Sequence, residues 1–188
     1  MLRVTKNKNI VNLQGISMHQ NTIYLLLEYC AQGSVEDFLR KKASYFQQCA
    51  EHNDYKFLLK CCSQVTEAMV FLVDKGIIHG DLAARNILID SENTIKVADF
   101  GLSQRLYVKR MGRSQLKDAI IPVKYSSPEV LRDECTILEY SDVWSFGVYM
   151  WEIFQLGCGQ PYPSVRNGKL NKKNIVQNLH RLFVFEKS

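Results

Sequence analysis

Asp81, Asn86 and Asp99 are the residues of this chain best suited to chemistry. The first two lie in the run His79-Gly80-Asp81-Leu82-Ala83-Ala84-Arg85-Asn86, and the third opens Asp99-Phe100-Gly101. Transfer of a phosphoryl group asks a protein for positioning and charge rather than for covalent chemistry. It needs a carboxylate near the incoming hydroxyl and oxygen ligands for the magnesium ions on the phosphates. Two acids and an amide in this order supply those groups. The Val/Ile-rich stretch before Asp99 is expected to carry it back to the same cleft on a short strand.

The two motifs, in this order and spacing, resemble the catalytic loop and metal-binding turn of the protein kinases. Ser127-Pro128-Glu129 is similar to the A-P-E that ends a kinase activation segment. Tyr140-Ser141-Asp142-Val143-Trp144-Ser145-Phe146-Gly147-Val148 resembles the start of the long helix of the large lobe, and the stretch from Tyr24 to Ser34 resembles the fifth strand running into the hinge. The resemblance covers residues 8–163. It implies an α+β, protein kinase-like fold, truncated, with a mainly helical large lobe and the last strands of the small lobe. The expected divisions are a small-lobe and hinge remnant over 1–30, the large lobe over 31–165 and a divergent basic tail over 166–188.

Residue roles follow from the same resemblance. Asp81 would orient the substrate hydroxyl and take its proton, Asn86 and Asp99 would hold Mg2+, and Arg85 would aid the substrate. ATP would lie against the gatekeeper Leu27, the hinge residues Glu28 and Cys30, Ser34, the floor residue Leu88 and Ala98. Structural roles fall to His79, stacked with Phe100, to Glu129, and to Asp142, which would hold the catalytic-loop backbone. Tyr107 is a possible phosphorylation site. His79 is expected to pack and hydrogen-bond rather than act as the base.

Between Asp81 and Asn86 the chain reads Leu-Ala-Ala-Arg, where serine/threonine kinases usually carry a lysine two residues after the aspartate. Alanine there leaves room for a phenol, and Arg85 and Pro122-Val123-Lys124 before Tyr125 resemble features of the protein-tyrosine kinases. The expected partner is a protein substrate with a tyrosine. Glu28-Tyr29-Cys30 and Phe38 to Lys42 lean towards the receptor class, in which residues 43–55 would be a short insert. Gly80 stands where most tyrosine kinases have the arginine of H-R-D, and Met111-Gly112 where many receptor kinases carry tyrosines. Little gating by modification of the activation segment at Tyr107 is therefore expected.

Composition is that of a globular domain, 46% hydrophobic and 23% charged. No stretch approaches the ~18–20 apolar residues that a membrane helix needs, and the first fifteen residues are too polar for a secretory signal. No membrane contact by this chain is expected. The cysteines (Cys30, Cys49, Cys61, Cys62, Cys135, Cys158) form no C-x-x-C pair, so reduced, mostly buried thiols and a cytoplasmic setting are expected rather than zinc. A receptor parent would carry the domain on its cytoplasmic side. The net charge of +5 arises in the tail, where Arg166, Lys169, Lys172, Lys173, Arg181 and Lys187 face Glu186 alone. With no aromatic platform beside them, these read as a solvated end and not a nucleic-acid surface.

Periodicity supplies the elements that must position the site. Residues 9–18 and 22–29 read as strands joined by a turn at Gln20-Asn21. Ser34 followed by Asp37 predicts a helix start. Apolar residues at Leu58, Cys62, Val65, Met69 and Leu72 predict a helix over 57–75, stopped by Gly76. Ile87-Leu88-Ile89 and Thr94 to Ala98 read as strands around a turn over 90–93. Ser141 is expected to cap a helix through Phe154 or Leu156 that is apolar nearly all round and buried, with Gly157 as its stop. Asp142 inside it must find a partner, because an unpaired buried carboxylate is costly.

The chain begins after the places where kinases carry a glycine-rich loop, a strand lysine and its helix glutamate. Gly157-Cys158-Gly159 follows the long helix and cannot cover phosphates, and Lys6 and Lys8 sit at the wrong place. No arginine pattern follows Ser164 to pair with Glu129. The chain is thus expected to be a kinase fragment that binds Mg-ATP weakly by itself. The alternative is a catalytically inactive kinase-like binding or regulatory module.

Overall fold

The computed structural model describes residues 6–48, 54–100, 104–105, 122–132 and 139–162. Tyr107, Met111, Gly112, Cys49, Cys135 and the basic tail lie outside the described residues.

Strands β1 (Leu13–His19) and β2 (Thr22–Leu27) form an antiparallel hairpin, with a register shift between Leu13 and Gly15. Gln20 and Asn21 close it with φ of 45° and 63°. Positive φ at both central residues gives the twist a tight hairpin needs, and asparagine tolerates it. The first strand begins later than expected. Residues 9–11 instead run beside β5, where Ile10 bridges Val97 in parallel and Val11 N–H donates to the Val97 carbonyl at 2.9 Å. Both faces of the hairpin are open: Ile16, Met18, Ile23, Tyr24, Leu26 and Leu27 are all half-exposed or more.

Helix α1 (Val35–Gln48) starts where Ser34 and Asp37 meet. Asp37 N–H donates to Ser34 Oγ at 3.1 Å, and that hydroxyl donates back to the Asp37 carboxylate at 3.0 Å. One orphan donor of the first turn is satisfied in this way. The helix takes in residues 43–48, part of the stretch expected to be an insert. Helix α2 (Asp54–Asp74) is followed by Gly76, whose φ is 64°.

Four short strands follow in two antiparallel pairs. β3 (Ile77–Ile78) pairs with β6 (Gln104–Arg105), and β4 (Ile87–Ile89) with β5 (Ile95–Val97). A 3-10 turn over Ala84–Asn86 leads into β4. The segment after β2 lies along β4, with Gln32 N–H on the Ile89 carbonyl and Ile89 N–H on the Gly33 carbonyl.

α3 (Pro128–Arg132) is short, and α4 (Glu139–Phe154) crosses beneath the loop over 79–86. The core joins α1, α2, α4 and the β4–β5 pair through Val35, Leu39, Val65, Leu72, Ile87, Ile89, Ile95, Tyr149 and Ile153. Each of the aliphatic side chains among these, once buried, contributes about 1.5–3 kcal/mol relative to exposure.

Two expectations for α4 are corrected. It starts at Glu139, so Ser141 lies inside the first turns, where its carbonyl accepts from Ser145 Oγ at 3.1 Å. Nor is it buried all round, since Val143 is 69% exposed and Tyr140, Met150, Trp151 and Phe154 are open too. Asp142, Tyr149, Glu152 and Ile153 face the packed side, and Trp144 packs with Leu131 of α3. Gly157 ends this region with φ of 66°, and a Cβ there would fall 2.5 Å from the Glu36 carbonyl oxygen. Only glycine fits where the end of α4 meets the start of α1.

Candidate active site

Residues 79–86 form a loop held from below by two buried acids of α4. The Asp142 carboxylate accepts the backbone N–H groups of His79 at 2.8 Å and Gly80 at 2.9 Å. Burial pushes its pKa up, against the pull of those two donors. Glu152, ten residues on, accepts the Ala84 N–H through Oε2 at 2.9 Å. Its buried carboxyl is likewise raised by desolvation. Glu152 was missed in the sequence, although an acid amid Trp151, Ile153 and Phe154 carries the same signal as Asp142.

His79 is fully buried, and both ring nitrogens are engaged. Nε2 lies 2.9 Å from the Ala98 carbonyl, and Nδ1 accepts the Asp81 N–H at 3.2 Å. These partners select the neutral tautomer protonated at Nε2. The ring lies 5.1 Å from that of Phe100, tilted. A buried imidazole occupied at both nitrogens shapes the loop and has no free lone pair for a substrate proton.

Asp81 is gripped at both carboxylate oxygens. Arg85 Nη2 donates to Oδ1 at 2.5 Å, and Asn86 Nδ2 donates to Oδ2 at 2.8 Å and to the Asp81 carbonyl at 2.8 Å. With its nitrogen turned to Asp81, Asn86 presents its amide oxygen away from that contact. Asp99 stands beyond β5 with φ of 56°, exposed. The fold therefore brings the loop over 81–86 and the end of β5 to one place, as the Ala98 N–H bond to the Asn86 carbonyl at 2.9 Å shows.

The residues expected to meet nucleotide lie along the hinge and its floor. Leu27 ends β2 and is half-exposed, Leu88 is partly buried on β4, and Ala98 is buried behind Asp99. Glu28 N–H donates to the Asn12 carbonyl at 2.9 Å, and its side chain forms an ion pair with Lys96 at 2.7 Å. Burial pushes the Glu28 carboxyl up, but Lys96 and the Asn12 donors outweigh it and the net shift is downward. The nearly buried Lys96 ammonium also donates to the Lys8 carbonyl at 2.9 Å, joining hinge, β5 and the entering chain. Neither Lys96 nor Asn12 stood out in the sequence. The Ser34 hydroxyl is engaged as the cap of α1, and Ser34 also bridges Leu88. Cys30, Cys61, Cys62 and Cys158 are free thiols, and burial pushes that of Cys61 up to about 12. Glu129, in the first turn of α3, makes no ion pair among the described residues.

Tyr125 sits across the loop from Arg85. Its ring centre lies 4.6 Å from the guanidinium carbon, and its hydroxyl donates to Glu152 Oε1 at 2.6 Å.

The family described as protein tyrosine and serine/threonine kinase matches residues 1–183, and the chain belongs to it. It is similar to fibroblast growth factor receptor 1 of Xenopus laevis, with 38% identity over 97% of this chain. The chain spans 23% of the length of that receptor. Among the described residues, no helix is long and apolar enough to cross a membrane.

Proposed function

We propose that this chain is part of a protein-tyrosine kinase that transfers the ATP γ-phosphate to a tyrosine of a protein substrate. The observation that carries the reading is the grip on Asp81. Arg85 and Asn86 fix one carboxylate oxygen each, so the group is aimed before substrate arrives. Preorganisation of this kind is how an enzyme lowers the cost of orienting a reacting group. Asp81 receives the phenol proton, and Arg85 beside it favours the planar ring of a tyrosine.

The donor set fits Mg2+. The Asn86 amide oxygen and the Asp99 carboxylate are hard oxygen ligands, and magnesium is usually held by few protein groups with phosphates and waters completing its shell. When bound, the ion would neutralise charge on the phosphates. Glu28 and Cys30 would offer backbone groups to adenine, with Leu27, Ser34, Leu88 and Ala98 around it. A cytoplasmic setting is supported by the free thiols, and similarity to a receptor favours a receptor-type parent with this domain on its cytoplasmic side. Tyr107 remains a candidate modification site of little effect on rate.

The test uses the longest natural protein that carries this segment, with ATP, Mg2+ and a tyrosine peptide. Phosphotyrosine is expected as the product, and Asp81→Asn should lower turnover by about 10²–10⁴, the range for a positioned acid–base group. Product dominated by phosphoserine, or undiminished turnover in the variant, would refute the reading.

A further inference from the structure

Helix α4 holds Tyr125 at two points, two turns apart on one face. Ser145 Oγ donates to the Tyr125 carbonyl at 2.8 Å, and the Tyr125 hydroxyl donates to Glu152 Oε1 at 2.6 Å. The other Glu152 oxygen takes the Ala84 N–H, so one carboxylate clamps both the loop that bears Asp81 and the loop that bears Tyr125. Burial, together with the neighbouring Glu152, pushes the Tyr125 phenol up, which keeps it a donor.

Arg85 lies on the face of that clamped ring and reaches Asp81. An arginine has a long, freely rotating stem, and this one is 38% exposed in its side chain. An ion pair so open is a weak restraint by itself. A ring beneath the guanidinium adds a cation–π attraction and a flat seat that limits where the fork can point.

We propose that Tyr125, tethered through its hydroxyl to Glu152, is a positioning residue that seats the Arg85 guanidinium against the Asp81 carboxylate. The consequence for turnover rests on the kinase reading of Asp81. The seating itself does not.

The test follows the Arg85 guanidinium by nitrogen-15 NMR in the 188-residue chain, its signals assigned by their loss in Arg85→Lys. A seated guanidinium rotates slowly about Nε–Cζ. Tyr125→Phe keeps the ring but removes the tether, and Tyr125→Leu removes the seat. Rotation should quicken in Phe and quicken further in Leu, by roughly two- to fivefold in the latter, the size of one partly exposed cation–π contact. Unchanged rotation in a Leu variant whose backbone amide spectrum stays native overturns the proposal. Should the Leu variant not fold, the Phe variant decides: a rate equal to that of the unsubstituted chain overturns the tether. The readout needs no turnover, so failure of the longest natural protein to phosphorylate tyrosine would refute the kinase reading while the Arg85 signals still settle the seating.

Discussion

Asp142 of α4 and Gly80 of the loop above it are joined by a 2.9 Å hydrogen bond from the Gly80 N–H, and the same carboxylate takes the His79 N–H at 2.8 Å. Two consecutive backbone donors thus share one buried acceptor. The backbone that leads into Asp81 is held by this pair and by the His79 ring, so part of what positions Asp81 lies 61 residues further along the chain.

Asp142→Asn should therefore destabilise the protein. The amide retains one acceptor oxygen and turns an NH2 towards the second backbone N–H, leaving a buried donor unmet. A loss of about 1–3 kcal/mol is expected, read from the urea midpoint at constant m value.

Gly80 has φ of 81°, in the left-handed region. A Cβ there costs roughly 1–2 kcal/mol. Gly80→Ala and Gly80→Arg are both expected to lower the melting temperature, and to similar extents, because the penalty is in the backbone. Matched calorimetric scans of the two variants check this.

Glu28 gives a pH dependence. Its carboxyl pKa is lowered in the folded protein from an ordinary 4.5, so below that value the unfolded chain binds more protons and acid favours unfolding. The stability contributed by the Lys96 ion pair is present above pH 4.5 and is lost as pH falls through the folded value. Buried Asp142 and Glu152 are shifted the opposite way, which makes a variant the right reference. The stability difference between the protein and Glu28→Gln, measured by urea titration from pH 7 downward, should shrink below 4.5.

Ser34→Ala removes the cap of α1, including its bond from the Asp37 N–H. A loss of about 1 kcal/mol is expected by denaturant titration. Ser34→Asn, which keeps a capping oxygen and sets no second carboxylate against that of Asp37, should recover most of it.

Local features of the chain were legible from the sequence because their causes lie within a few residues. The apolar spacing from Leu58 to Leu72 with Gly76 behind it located α2, and Gln20-Asn21 between two apolar runs located the hairpin. Resemblance to the kinase motifs, rather than spacing alone, singled out Asp81, Asn86 and Asp99, and an acid in an apolar helix announced that Asp142 needed a partner. The expected start of β1 is too early because Ile10 and Val11 are strand formers that pair beside β5 instead of with β2.

The tertiary structure alone decided which distant groups meet and which faces are covered. Apolar periodicity made α4 look buried all round, but it records how many faces are apolar and not how many neighbours arrive, and Val143 and Trp151 stay open. Lys96 reaching Glu28, and Glu152 reaching both Ala84 and Tyr125, join residues far apart in the chain. Such pairs leave no periodic trace, because each depends on where separate elements come to rest. The sequence determined that this protein carries Asp81, Asn86 and Asp99 in this order and spacing; the packing of α4 against the loop over 79–86 determined how the backbone around Asp81 is held.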